Sequence, residues 1–270
     1  MAQSLQLCNS SARLRVIATS NEAKEALEME ASLSPIAPPM DVVLELNELP
    51  VYDSDKTHNG RGATLAVDAP RRCLYDDKRD GWVLLDADLI AIQNPDQLFH
   101  LLNNNEITMK RDMYATGNFR IKKKRFGTLK EGGNFNAGVM VVPRPLTSDG
   151  KALQLLVNEA GEDDTEELLM NDLFKGRCGD LARGYNVPKR VMQHAPLLWK
   201  EMINNKELIF LHYMGAKPWM KNITQRQNAD WESERPSYKE LEKLWWKVRR
   251  GEATLKNGTL HHLLPLKKDT

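Results

Sequence analysis

Cysteine is scarce in this chain: Cys8, Cys73 and Cys178 are the three in 270 residues. They are odd in number and far apart, which suggests neither a disulfide framework nor a zinc knuckle and makes a reducing compartment the simpler reading. Long apolar runs are missing as well. No stretch approaches the roughly 20 residues that span a bilayer, and Met1 to Ser10 does not read as a signal peptide. A soluble, cytoplasmic protein with no transmembrane segment is expected. Excess charge of either sign is also lacking: 38 Lys and Arg stand against 37 Asp and Glu, a net charge of +1. Nothing in that balance points to nucleic acid. No repeat or low-complexity tract is visible. What is present is ordinary globular material, 41% hydrophobic and 28% charged, and the chain is long enough to bury a substantial core.

Apolar runs punctuated by turn residues give the order of elements. Leu14 to Thr19 reads as a strand, and Ser20 or Asn21 is placed to cap a helix from Glu22 to Glu30. Ser34 to Pro39 breaks that helix, and Asp41 to Leu46 forms a second strand. The alternation continues through Trp82 to Leu85, Pro95 to Leu102 and Ala137 to Val142. Asp149 to Glu159 and Glu166 to Phe174 read as helices, and Glu207 to His212 as a late strand. Such alternation favours a largely parallel sheet flanked by helices. Val51 to Asp68 is polar and irregular, a surface loop. Ser237 to Arg250 is an amphipathic helix with Leu241, Leu244, Trp245 and Val248 on one side, followed by a polar tail. Two units are expected: 1–235 as the main α/β domain, and 236–270 as the C-terminal helix and tail.

The segment that carries chemistry is Trp82-Val83-Leu84-Leu85-Asp86-Ala87-Asp88. Four bulky apolar residues end in two carboxylates. If the extended backbone continues past Leu85, Asp86 and Asp88 share one face at the carboxyl end of a strand, where open α/β sheets place their ligands. Hard oxygen ligands there suit a divalent cation shared with a substrate phosphate. Taken alone, a strand followed by Asp-x-Asp is also a turn or helix cap. Phe135-Asn136-Ala137-Gly138-Val139 opens another strand; Asn136 is able to hydrogen-bond a ligand, and Gly138 lets a backbone come close to it. His212-Tyr213-Met214-Gly215-Ala216-Lys217 ends a third. His212 offers a third metal ligand, Gly215 a close approach to phosphate, and Lys217 a point charge for a diphosphate. Tyr185-Asn186-Val187 adds a strand-like piece with a polar residue. Each also has a plainer reading: His212 as a structural histidine, Asn136 as a turn residue, Lys217 as a solvated charge. Trp245 and Trp246 read as packing anchors, and the basic run Ile121 to Arg125 as a solvated loop.

Taken together and in order, these segments resemble the family 8 glycosyltransferases, the glycogenin-like group with a GT-A fold. The resemblance rests on Leu85-Asp86-Ala87-Asp88, Asn94-Pro95-Asp96-Gln97-Leu98-Phe99, Phe135-Asn136-Ala137-Gly138-Val139, Tyr185-Asn186, His212 to Trp219 and the pair Trp245-Trp246. It implies a retaining transferase that moves a hexose, glucose as first choice, from a UDP-sugar to an unidentified hydroxyl acceptor with Mn²⁺. Asp86, Asp88 and His212 are the implied metal ligands, and they touch the donor together with Ala87. Lys217, Gly215 and Arg61 are the implied diphosphate and donor contacts. Asn136, Ala137, Glu166 and Glu167 line the sugar side, with Glu166 and Asn136 as the catalytic pair. The oligomeric state is left open, a homodimer included.

The sequence departs from the family pattern in three places. Ala2 to Leu7 matches the helix that follows the family's opening strand, so the resemblance implies a sheet short of that first strand. Glu166-Glu167 stands where the family has Asp-Gln, in a segment already made acidic by Asp163 and Asp164. A donor-binding lysine ahead of the metal-site strand has no counterpart; Arg61 is placed to substitute better than Arg71 or Arg72. No tyrosine lies between Val187 and Lys206, which disfavours self-glucosylation of the glycogenin kind. The alternative reading is a truncated or non-catalytic family member that acts as a binding or regulatory partner.

Overall fold

The computed structural model describes residues 1–12, 14–17, 24–29, 41–43, 81–103, 107–111, 135–143, 147–159, 166–221, 236–256 and 259–260. Two sheets carry the site. The first contains β3 (Trp82–Leu85), β5 (Ile107–Arg111), β6 (Phe135–Val142) and β7 (Cys178–Asp180), in the order β3-β6-β5-β7. The second contains β4 (Leu89–Ala91), β8 (Val187–Pro188) and β9 (Phe210–His212), in the order β4-β9-β8. A parallel pair, β1 (Arg15–Ile17) with β2 (Asp41–Val43), and a short antiparallel ribbon, Leu255–Lys256 with Thr259–Leu260, complete the described strands.

The expectation of a mostly parallel sheet needs correcting. Among the described residues the sheet that carries the carboxylates is mixed: β6 runs antiparallel to both β3 and β5, and only β5 and β7 are parallel. In the second sheet β9 is antiparallel to β4 and parallel to β8. Strand–helix alternation forces parallel neighbours only where successive strands lie side by side. Here β3 and β4 are consecutive in the chain yet belong to different sheets.

Side-chain alternation explains why β6 reads as one apolar run. Met140 and Val142 point into a cluster with Leu153, Leu169, Met170 and Phe174 from the helices Thr147–Glu159 and Glu166–Leu173. Val139 and Val141 point the other way, onto Leu5, Leu89, Leu98 and Phe210. Both faces of the strand are buried, so no polar face remains to break the pattern. The β4 strand divides likewise: Leu89 and Ala91 join the second cluster, while Ile90 packs in a third with Leu211, Tyr213 and Trp199.

That third cluster receives the helix Pro236–Arg249 through Leu241, Leu244, Trp245 and Val248, the face its periodicity predicts. Trp245 is a packing residue, edge-on to Tyr213 with ring centroids 5.1 Å apart. The expected helix at 22–30 is present over 24–29, and Ala2–Leu7 is helical. The segment 95–102 forms a 3-10 helix, Asp96–Asn103. The late strand is shorter than expected, starting at Phe210 rather than Glu207. The loop expected at 51–68 and the basic run at 121–125 lie outside the described residues.

Candidate metal and donor site

The two carboxylates come together by a route the strand pattern did not predict. The extended backbone stops at Leu85, and Asp86 to Leu89 forms a turn in which Leu89 N–H donates to Asp86 O at 3.3 Å. This turn passes the chain from the first sheet to the second. Its ends are fastened to both: Asp86 N–H donates to Gly138 O at 3.0 Å, and Tyr213 N–H donates to Asp88 O at 3.0 Å. A two-residue spacing in a turn, held at each end, converges the carboxylates, so the turn and the shared face are not alternatives here. Ala87 is the exposed tip.

His212 enters from β9, opposite Leu89 of β4. Its Nε2 lies 3.0 Å from Asp88 Oδ1 and 3.5 Å from Asp86 Oδ2. One ligand atom from each of the three residues falls within 4.8 Å of the others. His212 and Asp88 are buried, while the Asp86 side chain keeps 45% of its surface open, so the cluster faces solvent on one side. Lys217 returns to the same place through a loop in which Gly215 takes φ of +75°, a conformation that favours glycine. Its Nζ pairs with Asp88 Oδ2 and donates to Tyr213 O at 3.2 Å.

Charge balance separates the two acids. Burial pushes Asp88 up, but the hydrogen bond and charge of His212, joined by Lys217, outweigh it and hold this carboxyl well below the usual carboxylate range. Burial likewise pushes Asp86 up. His212 and Lys217 pull it down and the Asp88 charge pushes it up, leaving it above its ordinary value. The open side of Asp86 lets solvent temper that push. His212 and Lys217 are the positive charges that offset the two acids.

Behind the ligands lies a row of amides. Asn186, with φ of +61°, places Oδ1 2.6 Å from His212 Nδ1. Its Nδ2 donates to Asn136 Oδ1, and Asn136 Nδ2 donates to Glu167 Oε2 at 2.7 Å. The structure therefore gathers Asp86, Asp88, His212 and Lys217, and joins Asn136 and Glu167 to them. Asn136, expected to reach toward a ligand, spends its amide on these internal partners. Ala137 follows it on β6, half-buried. Gly138 stands close to the His212 ring rather than beside an open ligand space. The Glu166 side chain lies outside the described part of the structure, as do Arg61, Arg71, Arg72, Asp163 and Asp164. Asn186 was not among the expected site residues; its one sequence signal is the asparagine after Tyr185.

Solved structures share this arrangement of strands and helices. The galactosyltransferase LgtC, solved with donor and acceptor sugar analogs, matches with a TM-score of 0.60 at 17% identity, over 95% of this chain and 94% of its own. The two share a fold. The apo form of the glycosyltransferase GlyE of Streptococcus pneumoniae matches with a TM-score of 0.54 at 19% identity, over 94% of this chain and 60% of that one. The apo structure of the bifunctional glycosyltransferase WbbM gives 0.55 at 17% identity, over 87% of this chain and 48% of that one. This chain thus spans LgtC almost end to end, but only about half to three-fifths of the other two. No family model and no curated protein matches the sequence. Among the described residues, no helix is long and apolar enough to cross a membrane.

Proposed function

We propose that this chain is a glycosyltransferase that moves a hexose, glucose first, from a UDP-sugar to a hydroxyl acceptor, with Mn²⁺ and with retention of anomeric configuration. The observation that carries the reading is the Asp86, Asp88 and His212 cluster, held at the junction of two sheets in a glycosyltransferase fold. The donor set fits the cation. Two hard carboxylates suit Mn²⁺, which also tolerates one imidazole, and the solvent-facing side leaves room for phosphate oxygens. Asp86, Asp88 and His212 would hold it. When bound, it supplies Lewis-acid charge to the diphosphate leaving group.

The chain's own groups do the rest. Breaking the sugar–phosphate bond develops negative charge on UDP, and the Lys217 ammonium, already anchored at Asp88, supplies a fixed positive charge to meet it. Gly215 turns the loop that brings Lys217 there and presents backbone to a phosphate without a side chain in the way. Asp88, kept ionised by its neighbours, holds its place in the centre without a competing proton. Glu167, oriented by Asn136, is the carboxylate on the sugar side; Glu166 and Arg61 complete the proposed donor contacts.

Asp88→Ala is expected to abolish Mn²⁺-dependent hydrolysis of UDP-glucose, measured as UDP release. Unchanged turnover would sink the assignment. Calorimetric titration of UDP with and without Mn²⁺ separates this from the non-catalytic alternative, under which a folded chain binds no UDP in either condition.

A further inference from the structure

The amide row behind the metal cluster has a polarity that can be worked out from groups with no freedom of role. Gly138 N–H can only donate, and it points at Asn136 Oδ1 from 3.0 Å. A carboxylate oxygen of Glu167 can only accept while ionised, and it faces Asn136 Nδ2 at 2.7 Å. Both ends agree, so the Asn136 amide has one allowed orientation. Its Oδ1 therefore receives Asn186 Nδ2, which also donates to the Asn136 main-chain oxygen at 3.3 Å. That leaves Asn186 Oδ1, an acceptor, facing His212 Nδ1 at 2.6 Å. Nδ1 must carry a proton, and Nε2 is the nitrogen turned to Asp88 and Asp86. Asn136, Asn186 and His212 are 8%, 2% and 3% exposed, so water is largely excluded as a substitute partner.

We propose that Asn186 is the positioning residue of the centre: it fixes the Nδ1–H tautomer and the ring orientation of His212, so that Nε2 alone is presented to a divalent cation, and the Gly138 amide sets the sense of the whole row. The cation half of this statement rests on the function proposed above; the tautomer half stands without it. Partners one step behind a metal-bound histidine ordinarily matter at the level of about 10- to 100-fold in metal affinity. The left-handed backbone at Asn186 fits the same purpose. Asparagine is among the few non-glycine residues that adopt it readily, and it carries both the donor and the acceptor the row requires.

Two measurements test this on the full chain. Nitrogen-15 NMR of the metal-free protein with labelled histidine, His212 being assigned by its loss in His212→Gln, should show Nδ1 protonated. A bare Nδ1 overturns the proposal, whatever the protein does with metal. Calorimetry with Mn²⁺ alone then compares wild type with Asn186→Gly, which accepts the +61° backbone without strain and removes the amide, and with Asn186→Asp, which keeps an acceptor opposite Nδ1. The dissociation constant should rise about 10- to 100-fold in Asn186→Gly and recover part of the way in Asn186→Asp. Wild-type affinity in Asn186→Gly, or no difference between the two variants, overturns it. A wild-type protein that takes no Mn²⁺ removes the metal reading instead, and the Nδ1 resonance compared between wild type and Asn186→Gly then decides the role of Asn186: an unchanged resonance overturns it.

Discussion

A Cβ at position 138 would lie 2.5 Å from His212 Cε1 and 2.7 Å from its Nδ1. Glycine is needed there because the imidazole ring occupies the space a side chain would take. Gly138→Ala should push the ring off its line to Asp88, and a displacement of about 1 Å at a reacting centre can cost roughly a hundredfold in rate. The variant is expected to bind Mn²⁺ at least about tenfold more weakly by calorimetry while remaining folded by circular dichroism; wild-type affinity would show that the ring has room to move. At this scale the sequence was informative about ligand types and silent about their support. Asp86, Asp88 and His212 stand out because they recur in order with the other segments that carry the resemblance, not because any one of them is telling alone. Asn186 does not, because its role lies in Asn136, 50 residues earlier, and in a histidine 26 residues later. No local pattern records either distance.

Among the elements, the helix Glu166–Leu173 is tied to the start of β6 by Asn171. Asn171 Oδ1 accepts from Phe135 N–H at 2.7 Å, and its Nδ2 donates to Phe135 O at 2.7 Å and to Glu167 O at 2.6 Å. The amide thus stands in for a strand neighbour at the start of β6 and keeps Glu167 beside Asn136. Asn171→Ala leaves the Phe135 groups without that partner and should cost about 1–3 kcal/mol, read as a lower urea midpoint with an unchanged slope. It should also weaken donor binding by loosening Glu167. Periodicity predicted the helix Pro236–Arg249 and its buried face because a 3.6-residue repeat survives wherever one side meets a core. It missed β5 and β7. Cys178–Asp180 has three residues and no alternation of its own, and it is a strand only because β5 lies beside it. It left the chain at Asp86 open between turn and continued strand, since a turn of Asp-Ala-Asp and an extended end have the same composition; the turn is what forms.

For the molecule as a whole, the proposed cation would find its ligands gathered only in the native state, and any ligand bound only by the native state stabilises it. Mn²⁺ at about a hundred times its dissociation constant should add about 2.7 kcal/mol, seen in scanning calorimetry as an unfolding temperature that rises with Mn²⁺ concentration. Asp88→Asn should abolish the rise; an unfolding temperature insensitive to Mn²⁺ in the wild type would remove the cation from the proposal.

By itself the sequence determined which residue types were on hand and which elements would bury them: the apolar strand before Asp86, the histidine closing a later strand, the amphipathic helix near the end. These follow from local composition and short periods, which act over a few residues. Tertiary structure alone decided that the sheets are mixed, that a turn between them converges the carboxylates, and that Asn186 stands behind His212. Strand direction, the passage from one sheet to another and hydrogen bonds across 26 or 50 residues are settled by packing both faces of β6 at once, and that is a property of the assembled core rather than of any one segment.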